Sequence, residues 1–257
     1  WIKYLEIGGN MSYKLLTVNG NPKLIKGEKL HDKYLTAILH LAPSDISGKT
    51  VCPYAKIAKC EEGCLNTAGR GSIFKKGEAT NVIQKARLRK TMLFHNEYDT
   101  FMTQLVADIT KFVAFCGRKD KTPCIRLNGT SDIQWEHQKI DDKNVFELFS
   151  DVQFYDYTKI PTRKVQNIPN YHLTWSYSEA NDKYSQYINE ITDNIAVVFR
   201  GDMPVSFKGR KVINGDDYDM RFLDPNNVVV GLKAKGPAKK DTTGFVIDPT
   251  IDIIAVA

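Results

Sequence analysis

Short apolar runs separated by polar stretches dominate the chain. Residues 34–42, YLTAILHLA, form a run rich in strand formers and closed by Pro43, which predicts a buried strand. Between about residues 79 and 115 the period changes. Phe101, Leu105, Ile109, Phe112 and Val113 fall on one face at helical spacing, predicting one or two helices whose apolar face enters the core. Apolar runs then recur at 123–128, 152–158, 171–177 and 195–200, alternating with polar, helix-compatible stretches. Strands spaced by helices imply a parallel sheet with crossover connections. The connections at 161–170 and 181–192 are brief, so the helices between the later strands must be short. A complete eight-stranded barrel would strain the length. The expected fold is therefore α/β, an incomplete TIM-like barrel of five or six parallel strands in a single domain spanning 1–257. In the tail, Asn214-Gly215 and Asp224-Pro225 turns and a strand-like run at 228–232 predict an added C-terminal antiparallel segment.

The 257 residues, 42% hydrophobic and 26% charged, suffice for one sizeable core. No apolar stretch of about 18 residues occurs, and the opening WIKYLEIGGN lacks a secretory pattern. A cytoplasmic protein without a membrane partner is expected. The formal charge of +6 would suit a polyanion, but the basic residues are scattered, with concentrations only at 85–90 and 233–240. Nucleic acid is thus a partner class resting on charge balance alone, and salt-sensitive binding would mark it. The basic tail GLKAKGPAKKDTTGF could close over an anion or form a solvated loop, and the solvated loop is the preferred reading.

The chemistry concentrates in one loop. In CPYAKIAKCEEGCLNTAGRG, Cys52 and Cys60 enclose seven residues, and Cys60 and Cys64 enclose three. Buried cysteines usually occur singly as small hydrophobes, whereas these have Lys, Glu and Gly neighbours. Five cysteines, an odd number in a reducing compartment, argue for thiols and against a disulfide framework. Structural zinc favours two closely spaced pairs, and neither Cys52/Cys60 nor Cys116/Cys124, each with seven residues between, gives one. A [4Fe–4S] cubane offers separate iron corners, so a loop with unequal spacings suits it. The cluster is the expected cofactor, and zinc the alternative. Either Cys116 or Cys124 closes the site, or the fourth iron stays open. His40 is the candidate non-cysteine ligand.

Polar groups gather where the strands end, the place at which open α/β sheets and barrels hold ligands. One set is Arg126, Asn128, Gly129, Thr130, Ser131 and Asp132, where Gly129 would let the backbone approach a ligand and Ser131 or Asp132 could equally cap a helix. Tyr155, Asp156, Tyr157, Thr158 and Lys159 end the next strand, and Thr174, Ser176, Tyr177 and Ser178 the one after. Asn128, Gly129, Thr130, Ser131, Asp132, Tyr155, Asp156 and Ser176 are the expected cofactor-binding residues. Alternation allows only about half of each set to face one side. Arg87, Arg89 and Lys90 sit on the helix after the loop, placed to neutralise an anion or to form a solvated face.

CPYAKIAKCEEGCLNTAGRG, ARLRKT, RLNGTSDIQWE, FYDYTK and GLKAKGPAKKDTTGF, in that order, resemble a family of bacteriophage proteins known by a gene-product number. The resemblance implies a phage-encoded protein working in the host cytoplasm. A strand ending in a three-cysteine loop, then a helix and a strand ending in NGTSD, also resembles the opening of radical S-adenosylmethionine enzymes. That likeness implies a four-iron cluster on Cys52, Cys60 and Cys64 whose open iron binds S-adenosylmethionine, with Asn128 to Asp132 near its amino group and a reductant protein as partner. The spacings of seven and three replace the usual three and two, and Thr130, Ser131 and Asp132 stand where a glutamate motif is usual. The expectations are a redox or radical enzyme acting on a small molecule, or a non-enzymatic cluster for electron transfer, redox sensing or structural stapling.

Overall fold

The apolar runs become strands close to their expected limits in the computed structural model, which describes residues 14–18, 22–64, 66 and 81–249. The chain opens with β1 (Leu16–Val18), α1 (Pro22–Leu30), β2 (Tyr34–Leu39) and the single turn α2 (Ser44–Ser47). After the cysteine loop come α3 (Val82–Asn96), α4 (Tyr98–Arg118) and β3 (Thr122–Arg126). A small hairpin, β4 (Lys139–Ile140) and β5 (Lys143–Asn144), leads into α5 (Val145–Leu148), β6 (Gln153–Thr158), β7 (Tyr171–Ser176), α6 (Asp182–Asn189) and β8 (Ile195–Phe199). The tail contributes β9 (Ser206–Phe207), β10 (Arg210–Asn214), β11 (Val229–Lys233) and β12 (Val246–Ile247).

Ten of these strands form one sheet in the order β1-β2-β3-β6-β7-β8-β11-β10-β9, with β12 also on β8. From β2 to β10 every neighbouring pair is parallel, while β1 and β9 run antiparallel at the two ends. The order is open: among the described residues no pairing joins the two ends into a barrel. No helix among them is long and apolar enough to cross a membrane.

α4 follows its pattern. Phe101, Leu105, Ile109, Phe112 and Cys116 are buried on one face, against Leu39, Ile125 and Leu127 of the sheet. Asn81 caps α3 by accepting from Gln84 N at 2.6 Å, and Asn144 with Glu147 builds a capping box on α5. These local devices place the helices on the sheet, and burial of the apolar stripe holds them there.

The tail departs from expectation. Its main strands are parallel: β11 lies between β8 and β10 in parallel register, and only the short β9–β10 turn at Lys208 and Gly209 is antiparallel. Gly215 is not a hairpin glycine. It donates its N–H to Gly231 O at 2.7 Å, and a Cβ there would collide with Val230. The 215–228 stretch instead crosses back to start β11 beside β10. β8 pairs with β11 along its whole length, so its other edge is shared: β7 takes Ile195 and Ala196, and β12 takes Val198 and Phe199. Where β7 parts from β8, the last strand fills the gap.

Candidate functional site

The cysteine loop runs across the carboxyl ends of the strands. Seven residues in extended form would carry Cys60 more than 20 Å from Cys52, yet the segment is wound into successive turns. Ala55 N donates to Cys52 O at 3.2 Å, Ala58 N to Tyr54 O at 3.0 Å and Cys60 N to Ala55 O at 3.2 Å. Lys59 takes a left-handed conformation, φ +52°, which ends the turns and lets the chain double back at Cys60. Four contacts hold the loop on the sheet. Asp132 N donates to Val51 O at 2.7 Å, and Ser178 Oγ beyond β7 donates to Ala58 O at 2.9 Å. Gly63 packs on Ala238 and Phe245, and Arg87 of α3 donates to Asn66 Oδ1 at 2.6 Å. The tail is therefore not a solvated loop: Ala234, Ala238, Phe245 and Val246 are buried and Cys60 packs against them.

The three loop thiols are half-buried and act on one another electrostatically. Burial raises the Cys52 thiol, with Asp132, Cys64 and Cys60 adding to the shift and Lys159 opposing it. Burial likewise raises Cys64. Cys64 in turn supports the charge of Arg87 against its own desolvation. Three thiols in one neighbourhood, with Lys159 and Arg87 beside them, fit the donor chemistry of a thiolate-bound cluster. Among the described residues no three His, Cys, Asp or Glu groups are arranged to hold a single metal ion. A cubane asks for something else, one thiolate on each of several irons.

Cys116 and Cys124 do not join the loop. Cys116 ends α4 inside the core, and Cys124 sits in β3 opposite Thr36 of β2, packed with Tyr155 and Met220. The charges acting on Cys124 are those of Cys116 and Glu28. Burial pushes the Cys116 thiol up to about 11. A cleft of about 350 Å³ opens near this end of the strands, lined by Tyr34, Ser150, Asp151, Gln153, Asn170 and Phe222, and none of the loop cysteines touches it.

The other expected residues divide between the two faces of the sheet. On the α4 side, Asn128 organises the turn after β3: its Oδ1 accepts from Ser131 Oγ at 2.8 Å, Ile133 N at 2.9 Å and Trp135 Nε1 at 3.1 Å. Its backbone N–H donates to Asp156 Oδ1 at 2.7 Å, and Tyr171 OH donates to Asp156 Oδ2 at 3.0 Å. Asp132 accepts from Thr158 Oγ1 at 2.8 Å and Lys159 N at 2.7 Å. Arg163, wholly buried, links these groups. It donates to Glu136 at 2.9 and 2.5 Å and to Tyr171 OH at 2.9 Å, and stands 3.6 Å from Asp132. Asn128, Ser131, Asp132 and Asp156 thus spend their hydrogen bonds on the fold. Thr130 Oγ1 does likewise, donating to Leu41 O at 2.7 Å.

Gly129 approaches the protein's own backbone. Its N–H donates to Leu39 O at 3.0 Å, and a Cβ would sit 2.5 Å from Ile38 Cγ2 and 2.7 Å from Leu39 O. Backbone cannot yield cheaply, so Gly129→Ala is expected to cost about 1–3 kcal/mol in urea unfolding.

Burial lifts Asp156 from the ordinary 3.8 up to about 7, against the opposing pull of Arg126, Asn128, Arg163 and Tyr171. A carboxyl raised in the folded state binds its proton more tightly there, so folding stability falls as pH rises from about 4 to about 7 and loses nothing further from this group above that. The decline is worth up to roughly 4 kcal/mol. In Asp156→Asn it is expected to vanish, leaving a flatter stability profile in denaturant titrations across that window.

On the opposite face lie His40, Arg126, Tyr155 and Tyr157, with His172 and Thr174 following in register on β7. Asp219, from the segment before β11, accepts from Lys23 of α1 at 3.0 Å and Arg126 at 2.9 Å, and from Tyr155 at 3.4 Å. Burial alone would raise its carboxyl, but Arg126 and Lys23 hold it well below the usual range. Tyr155 therefore belongs to this ion cluster. Ser176 lies at the end of β7, where its carbonyl accepts from Tyr184 OH at 2.5 Å. Arg163, Glu136, Lys23 and Asp219 escaped the sequence reading. Glu136 is the last residue of RLNGTSDIQWE and its partner Arg163 is 27 residues away, while Arg163, Lys23 and Asp219 lie outside the strand-end motifs, on elements far apart in the chain.

No curated protein and no solved structure matches the chain. One family model, described as Gene product 88, matches residues 14–249. The match takes in the cysteine loop, the turn after β3 and the tail that covers the loop, so the expected membership of a phage gene-product family holds. This chain belongs to the gene product 88 family.

Proposed function

We propose that the chain is an iron–sulfur protein holding a [4Fe–4S] cluster on Cys52, Cys60 and Cys64, at the carboxyl edge of a partly barrel-like sheet. The observation carrying this reading is the segregation of the cysteines: three share one loop over the strand ends, and the other two lie together elsewhere. Three thiolates are one fewer than a cubane has irons. The remaining position falls to a small molecule, for which S-adenosylmethionine is the first candidate. Bound there, the cluster would supply one-electron redox or radical chemistry, with a reductant protein as partner.

The chain's own residues have simpler tasks. Lys159 and Arg87 offset the negative charge of the thiolates. Asp132 fixes the loop's entry through Val51 and the Lys159 backbone. The tail shields Cys60 and Gly63 from water. That shielding also favours a second reading, a cluster that staples the tail to the sheet or carries electrons without reacting with a substrate.

Anaerobic purification with iron and sulfide analysis, then electron paramagnetic resonance of the reduced protein with and without S-adenosylmethionine, separates these. A cubane signal altered by S-adenosylmethionine supports the open position. An unaltered signal supports the carrier or staple, and zinc without iron or sulfide overturns both.

A further inference from the structure

Buried polar atoms without partners are rare in folded proteins, and each calls for a water, an ion or a ligand. Three stand together on the sheet face opposite α4. Arg126 Nε, Tyr157 OH and Thr174 Oγ1 are shielded from solvent and without a hydrogen-bond partner among the described residues. Tyr157 and Thr174 are register partners on β6 and β7, and the Arg126 guanidinium lies 4.8 Å from the Tyr157 ring centre. Thr174 is fully buried, Tyr157 is half-buried and the Arg126 side chain as a whole keeps 12% exposure.

The charge balance around it is positive. Lys23, Arg126 and Arg221 face Asp219 and Asp224. At the adjoining end of β2, His40 feels Arg87, Arg126 and Lys90 against Asp219 alone. With burial acting first, these cations lower the imidazole to about 3, so it is neutral and able to donate one N–H. A guanidinium, a phenol and a hydroxyl, all with donors unspent, match the acceptor oxygens of a carboxylate or phosphate.

We infer that Arg126, Tyr157 and Thr174, with His40 beside them, bind the anionic oxygens of a small molecule on the sheet face opposite α4. This deepens the proposed function by naming the charge class of its ligand, and rests on that function only for the ligand's nearness to the cluster. The anion site itself needs no cluster.

The test is thermal unfolding of the full chain, as purified, with inorganic phosphate or citrate at millimolar concentration and with sodium chloride at matched ionic strength. A ligand of the native state alone raises the melting temperature by mass action. A rise with phosphate or citrate beyond that with chloride is expected, and which of the two is stronger assigns phosphate or carboxylate. Tyr157→Phe and Thr174→Val keep shape and remove one hydroxyl each. Either is expected to weaken the better anion about 10-fold or more, as for hydrogen bonds to charged groups, while leaving the melting temperature without anion unchanged or higher. Equal shifts in chloride and the other salts, wild-type affinity in both variants, or destabilised variants without anion would overturn the inference. Iron and sulfide content, measured on the same samples, reports on the cluster separately.

Discussion

On the proposed cluster assignment the wild-type chain is expected to incorporate roughly four iron and four sulfide per chain, and Cys52→Ser, Cys60→Ser and Cys64→Ser are each expected to reduce both to a small remainder. Serine keeps the size of the side chain but offers iron a harder, less acidic donor. Since the three thiols are half-buried and their loop is held by backbone contacts at Val51 and Ala58, the substitutions leave its anchorage intact. Cys116→Ala and Cys124→Ala are expected to retain full iron and sulfide, because both side chains pack in the apolar interior away from the loop. Colorimetric iron and sulfide assays on anaerobically reconstituted protein make the comparison. Loss of iron on replacing Cys116 or Cys124 would place a fourth thiolate on the cluster and remove the open position.

Arg163→Met should give the largest stability loss among single substitutions away from the loop. Arg163 is fully buried between Glu136, Asp132 and Tyr171, and methionine fills much of its volume without its charge. Two carboxylates then remain in the interior without their cation. Removing one partner of a buried ion pair costs about 3–5 kcal/mol, a large part of the ~5–15 kcal/mol typical of a domain. Urea unfolding should show the midpoint falling at unchanged slope. Adding Glu136→Gln to Arg163→Met should recover part of the loss by neutralising one stranded carboxylate. No recovery would mean that Arg163 acts through packing and not through charge.

What the sequence by itself determined was local and periodic. The apolar runs marked β3, β6, β7 and β8 to within a residue or two and β2 to within three, and the stripe from Phe101 to Phe112 marked the buried face of α4. Both follow from repeats of two and 3.6, which need only neighbouring residues. The grouping of Cys52, Cys60 and Cys64 was equally visible, since a loop's own length limits how far its ends can part.

Tertiary structure decided what depends on distant partners. β11 could be placed as a strand from its residues, but its parallel course depends on where the 215–228 stretch crosses, and β12 joins β8 only because β7 diverges there. Gly129 is glycine because of Ile38 and Leu39, some ninety residues earlier. Alternation said that FYDYT would split between two faces, yet not that Asp156 would meet Asn128 while Tyr155 met Asp219. A buried charge must find a counter-charge wherever the fold supplies one. Arg163, Lys23 and Asp219 found theirs through packing, which leaves no period in the sequence.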